Sequence, residues 1–200
     1  MKYLLFFITL ISCSLNAQNS DAIKEIRAHQ EKQNVQFRTK GKSPLTEADR
    51  KHFNKLDFFE IDLNYRVSAK FTRTPNEVFF AAGTSSGKTK FLIKYGVLTF
   101  SIDGKKLTLA VYQSQQLLNN PIYKDYLFLP FNDLSNGDTT YSGGRFIDLV
   151  IPKDDKIIVD FNQAYNPYCA YSDGWNCTIP PIENSLEIEI TAGVKKYKDH

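Results

Sequence analysis

The dipeptide Asp103-Gly104 lies between two alternating runs, VLTFSI (97–102) and KLTLAVY (106–112), and constrains the chain more than any other feature. Asp-Gly flanked by alternating residues is the strongest short-range hairpin signal, because a type I′ turn needs positive φ at both central positions. The same period of two recurs elsewhere. In LNYRVSAKF (63–71), Tyr65, Val67, Ala69 and Phe71 alternate with Arg66, Ser68 and Lys70, as in a half-buried strand. YLFLPF (126–131) reads as a further strand. RFIDLVIP and KIIVDFN flank Lys153-Asp154-Asp155 and read as a second hairpin. SLEIEITAG (185–193) sets Leu186, Ile188 and Ile190 against Glu187 and Glu189, which predicts a late strand. Short strands with close turns predict a mainly β chain, an antiparallel sandwich or barrel-like single domain over residues 40–200. Aromatic residues make up 14% of the 200, in keeping with half-buried pleated surfaces.

Ahead of this domain, residues 18–39 carry a helical signal. Ser20 and Asp21 can cap it, and Ile23 and Ile26 begin an apolar stripe that the run QEKQN thins. Thr46 and Asp49 resemble a capping box for a short helix over 47–54.

Residues 1–17 have the form of an export signal: Lys2 is the charged region, and Tyr3 to Ile11 are an apolar stretch too short to span a bilayer. Cleavage after Ala17 is the expected processing. Leu10-Ile11-Ser12-Cys13 resembles a lipobox and offers the alternative, a lipid anchor on Cys13 in an envelope lipoprotein. The expected location is periplasmic or secreted, with no transmembrane helix after cleavage. The exported chain keeps Cys169 and Cys177, an even count that predicts a disulfide.

AAGTSSGKTKF (81–91) matches a relaxed phosphate-binding loop. Such a loop needs a helix behind it. Instead Phe91, Ile93 and Tyr95 alternate with Lys90, Leu92 and Lys94, and Gly96 ends the run. Thr84-Ser85-Ser86-Gly87 therefore reads as a turn between strands 77–82 and 88–95. Net charge is +3 with scattered positive residues, which gives no basic stripe for nucleic acid. His29 falls on a polar helix, His52 on a short amphipathic one and His200 at the last position, so neither a catalytic triad nor a histidine metal site is expected, and no cofactor is implied. FNDLSNGDTTYSGG (131–144) spaces Asp133, Asn136 and Asp138 loosely, and a plain turn explains it better than a calcium loop.

The polar and aromatic residues concentrate in DFNQAYNPYCAYSDGWNC, 160–177. Asp160 and Asn162 share a strand face, and Tyr165, Asn166, Tyr168, Tyr171 and Trp175 follow. Gly143-Gly144 lets the backbone before Arg145 approach a neighbour closely. If 145–151 pairs with 156–162, Arg145 lies near Asp160 and Asn162. Two readings follow. One is a polar pocket for a small ligand or envelope partner, with Arg145, Asp148, Asp160, Asn162, Tyr165 and Asn166 as its residues. The other is an internal network pairing Asp160 with Arg145. A hydrolase using Asp148 or Asp160 with Arg145, or a purely structural envelope component, are the alternatives.

FFEIDLNYRVSAKF, YGVLTFSIDGKKLTLAVYQS, LFLPFNDLSNGDTTYSGGRFIDL, DFNQAYNPYCAYS and CTIPPIENSLEIEITAG follow one another in an order that resembles the bacterial domain of unknown function 1684 family, over about residues 40–195. The resemblance implies one fold unit and draws attention to Arg145, Asp148, Asp160, Asn162, Tyr165, Asn166, Cys169 and Cys177. It implies no reaction. Thr178 replaces the family's usual Pro, which is expected to loosen the loop. Val194 replaces a frequent acidic residue, which is expected to alter only a surface charge.

Overall fold

A computed structural model of the chain describes residues 2–198, with side chains from residue 18 onward. The thiol of Cys13, the side chains of the expected export signal and His200 lie outside the described residues. Two helices come first, α1 (Lys2–Arg38) and α2 (Glu47–His52). The inward stripe of α1 continues past Ile26, which has no exposed surface, to Asn34 and Phe37, both buried. The run QEKQN thus keeps the helical spacing but spends its inward positions on polar side chains. Asn34 Oδ1, for example, accepts the Leu56 amide at 2.8 Å. Thr46 accepts from the Asp49 amide at 3.1 Å, so the predicted cap opens α2.

Seven strands form one curled antiparallel sheet. They are β1 (Arg66–Arg73), β2 (Phe80–Ala82), β3 (Lys90–Ile102), β4 (Lys105–Ser114), β5 (Tyr126–Phe131), β6 (Arg145–Val150) and β7 (Lys156–Asp160). The order is β6-β5-β4-β3-β1-β7, with β2 on the start of β3. The hairpin of β3 and β4 forms as the sequence predicts. Asp103 and Gly104 adopt φ of 49° and 76°. Residues 84–87 are the predicted turn: Gly87 has φ of 71°, and Thr84 Oγ1 donates to the Lys88 carbonyl at 2.5 Å.

Three expectations are corrected. Gly96 does not end a strand. It sits at a bulge in the 13-residue β3, where a Cβ would lie 2.5 Å from the Phe71 ring and 2.7 Å from the Thr72 carbonyl oxygen. RFIDLV and KIIVD do not form a hairpin. β6 pairs with β5 from Arg145 to Val150, and β7 pairs with β1. They are the two edges of the sheet, yet only residues 151–155 join them, and so short a connection can reach about 20 Å at most. The sheet must therefore curl until its edges approach. At the other end Asp160 caps a 3₁₀ turn, Phe161–Gln163, and Tyr165 takes the pairing position on Phe146 with two 2.9 Å backbone bonds. Finally, SLEIEITAG is not a strand. Its alternation is kept, with Leu186 and Ile190 buried in the main core, but its backbone groups bond to loops and to a guanidinium instead of a ladder.

That core lines the concave face: Leu98, Phe100, Leu109, Val111, Leu127, Leu129, Phe131 and Ile147, closed by Phe161 and Ile190. A second cluster joins Phe37 of α1 to Leu45, Leu56, Tyr171 and Val194. Val194 is 1% exposed, so its departure from the family pattern adds an apolar contact rather than altering a surface charge.

Candidate functional site

The predicted site residues divide into two groups with different roles. Arg145, Asp160 and Asn162 are bonded to partners within the chain, and the structure does not bring Arg145 and Asp160 together. Arg145 is 0% exposed and pairs with Asp133 at 2.8 Å. It also donates to the carbonyls of Ile190 at 2.8 Å and Ala192 at 2.5 Å. These bonds hold SLEIEITAG out of a strand. Asp133 accepts from the amides of Ser135 and Ile190, at 2.9 and 3.1 Å, so the loop considered for calcium is the socket for Arg145. Gly144 makes the close approach expected of it. It has φ of 81°, and a Cβ there would lie 2.6 Å from Asn132 Oδ1. Asp160 instead pairs with Arg66 at 2.6 Å, and Arg66 reaches Glu25 of α1 at 2.8 Å. Asn162 bonds both backbone groups of Asp62, at 3.0 and 2.9 Å. The hydrolase arrangement of Asp148 or Asp160 with Arg145 is therefore not assembled.

Asp148, Tyr165 and Asn166 do come together, on the convex face. By strand alternation Asp148 points away from the core that holds Ile147 and Leu149. Opposite it in register lies Phe128 of β5. Because Tyr165 bridges to Phe146, its hydroxyl reaches Asp148 Oδ1 at 2.6 Å, and the Tyr126 hydroxyl donates to the same oxygen at 2.7 Å. Burial first, then the Asp148 charge, pushes both phenols well above their usual range, so both stay protonated donors at neutral pH. No partner on the chain is found for Asp148 Oδ2 among the described residues.

This carboxylate borders a cavity of about 460 Å³. One wall is α1, with His29, Gln33 and Phe37. The floor is Phe128, Phe146 and Asp148. The other wall is the loop from Tyr165 to Thr178, and Lys90 at the start of β3 also lines the cavity. The Cys169–Cys177 disulfide, with Cα atoms 6.3 Å apart, ties this loop. Tyr168 and Trp175 meet edge-on at 4.8 Å, and Thr178 bridges to Thr84 in the turn at 84–87. Two amide oxygens of lining residues, Gln33 Oε1 and Asn166 Oδ1, are buried with no hydrogen-bond partner, and Asn166 is only 1% exposed. Orphaned buried acceptors are uncommon and mark places where a donor is wanted.

His29 and Lys90 did not emerge from the sequence as site residues. Burial lowers the basicity of both. His29 belongs to a legible set, His29, Gln33, Gln36 and Phe37, spaced to share one helix face, but nothing in the sequence says what that face meets. Lys90 carried no signal beyond its place after the turn.

The family model described as protein of unknown function (DUF1684) matches residues 51–195. The chain is also similar to an uncharacterised protein of Haloarcula marismortui, known from a solution NMR structure. The TM-score is 0.71 at 30% identity, over 92% of this chain and 99% of that one. No curated protein matches.

Proposed function

The chain belongs to the DUF1684 family, whose description names no reaction, and on that premise we propose that it is an exported protein that binds a small polar ligand in the cavity beside Asp148. The observation that carries this reading is the pair of orphaned amide oxygens, Gln33 Oε1 and Asn166 Oδ1, at a cavity that also holds a carboxylate with one unbonded oxygen. The volume, about 460 Å³, lies within the range of small-molecule sites, about 300–1,000 Å³. Phe128, Phe146, Tyr168 and Trp175 supply the apolar surface such sites combine with a few polar groups.

A thermal-shift screen of amino acids, peptides, sugars and organic acids tests it. A true ligand at one hundred times its Kd stabilises by about 2.7 kcal/mol, which raises Tm by roughly 5–11 °C in a domain of this size. If no compound moves Tm or Trp175 fluorescence, the reading falls. Export is supported by the form of residues 1–17 and by the Cys169–Cys177 pair, since disulfides persist outside the reducing cytosol. The proposed mature protein begins at Gln18. Intact mass of protein from the envelope fraction tests this, and an unprocessed chain or an acylated Cys13 would overturn it.

A further inference from the structure

The cavity contains two opposite charges that the chain leaves unneutralised. Asp148 is exposed where it borders the cavity, offers Oδ2, and has no cation within salt-bridge distance among the described residues. Lys90, half-buried at the start of β3, has no carboxylate partner there either. Other cations near this face are accounted for: Lys94 pairs with Glu183 at 2.5 Å, and Arg66 with Asp160. Lys32, exposed as Asp148 is, also lines the cavity, on the α1 wall. His29 is held toward its neutral form by burial. Asp148 and Lys90 do not satisfy one another, because no bond joins them.

The cavity holds unpaired acceptors and an unpaired donor. Asp148 Oδ2, Gln33 Oε1 and Asn166 Oδ1 are three acceptors without partners, the complement of an ammonium with three donors. Lys90 is a donor without an acceptor, the complement of a carboxylate. The rings of Phe128, Phe146, Tyr168 and Trp175 border the same space and can cover an apolar body or an ammonium face.

We propose that the occupant is an amino-carboxylate zwitterion, an amino acid or short peptide, with its ammonium on Asp148 and its carboxylate on Lys90. This rests on the ligand-binding reading above. The test is calorimetric titration of the full chain, wild type, Asp148→Asn and Lys90→Met, with five probes: phenylalanine, phenylalanyl-glycine, 2-phenylethylamine, 3-phenylpropionate and N-acetyl-2-phenylethylamine. Asp148→Asn keeps an acceptor for both tyrosines, and circular dichroism with Tm confirms that each variant folds.

At least one zwitterion is expected to bind more tightly than every singly charged or neutral probe. Each substitution should then weaken it about tenfold or more, the scale of one charge-assisted hydrogen bond. Phenylethylamine should respond only to Asp148→Asn, and phenylpropionate only to Lys90→Met. Preference for phenylalanine over the dipeptide marks an amino acid site, and the reverse marks a peptide site. Binding of the neutral or singly charged probes as tightly as both zwitterions, or zwitterion affinity unchanged in either variant, overturns the inference while leaving a ligand cavity standing. Silence from all five probes overturns the zwitterion. The ligand-binding reading falls with it only if the broader screen is silent too.

Discussion

A guanidinium with no exposed surface must find its partners inside the protein, and the two terminal nitrogens of Arg145 find theirs on two segments distant in sequence, while its Nε has none. Asp133 supplies charge, while Ile190 and Ala192 supply carbonyls. Burial still lowers its basicity, with Asp133 opposing the effect. Removing one member of a buried ion pair strands the other, which costs about 3–5 kcal/mol. Arg145→Met should lower the unfolding free energy from urea denaturation by that amount at an unchanged slope, and Asp133→Asn with Arg145→Met should cost less than the two singles summed. A loss below about 1 kcal/mol would deny Arg145 this role. His29 makes a different prediction, about pH. Burial lowers its folded pKa from 6.5, with the Asp148 charge opposing the shift. The unfolded chain therefore takes up its proton first, so this contribution is fully present above pH 6.5 and is lost as pH falls below it. Urea midpoints from neutral to mildly acid pH should fall less steeply for His29→Gln than for the wild type. Identical slopes would remove His29 from the acid response.

Among the elements, the weakest seam lies between β4 and β5, which share a single residue pair, Tyr112 with Phe128. Asn184 fills the gap. Its side-chain amide donates to the carbonyls of Ala110 at 2.8 Å and Pro130 at 2.6 Å, and accepts from the Ala110 amide at 2.8 Å. Asn184→Ala leaves three buried backbone groups unpaired and should cost about 3 kcal/mol or more, at 1–3 kcal/mol for each stranded group. Denaturation with hydrogen exchange at Ala110 checks both the size and the place. The loop carrying Tyr168 and Trp175 depends on Cys169–Cys177, eight residues apart. Chain entropy assigns such a bridge about 2–3 kcal/mol. The Cys169→Ser, Cys177→Ser double variant should lose that stability and also the Trp175 response to ligand, because the loop is a wall of the cavity and no part of the sheet.

For the whole molecule, the family match begins at residue 51, yet α1 lies before it and supplies His29, Gln33 and Phe37 to the cavity. Phe37 also meets the Tyr171 ring edge-on at 4.6 Å. A chain starting at residue 39 should keep the β signature in circular dichroism, melt at lower temperature and bind a dye for exposed apolar surface. An unchanged melt would mean that α1 is not part of the folded unit.

The sequence by itself determined the local structure: the Asp103-Gly104 hairpin, the Thr46 cap, the turn at 84–87, the inward and outward sides of SLEIEITAG and the disulfide. All of these depend on residues a few positions apart, and turn chemistry and the period of two act at that range. The tertiary structure alone decided which edges meet. KIIVD chose β1 over its neighbour RFIDLV, and Arg145 chose Asp133 over Asp160, because a curled sheet sets its strand order through contacts far apart in the chain. The cavity was decided in the same way. Asp148, Tyr165 and Asn166 could be picked out as polar and aromatic residues in one region, but His29 and Lys90 come from 119 and 58 positions before Asp148. They join it only because helix, strand and loop pack on one convex face.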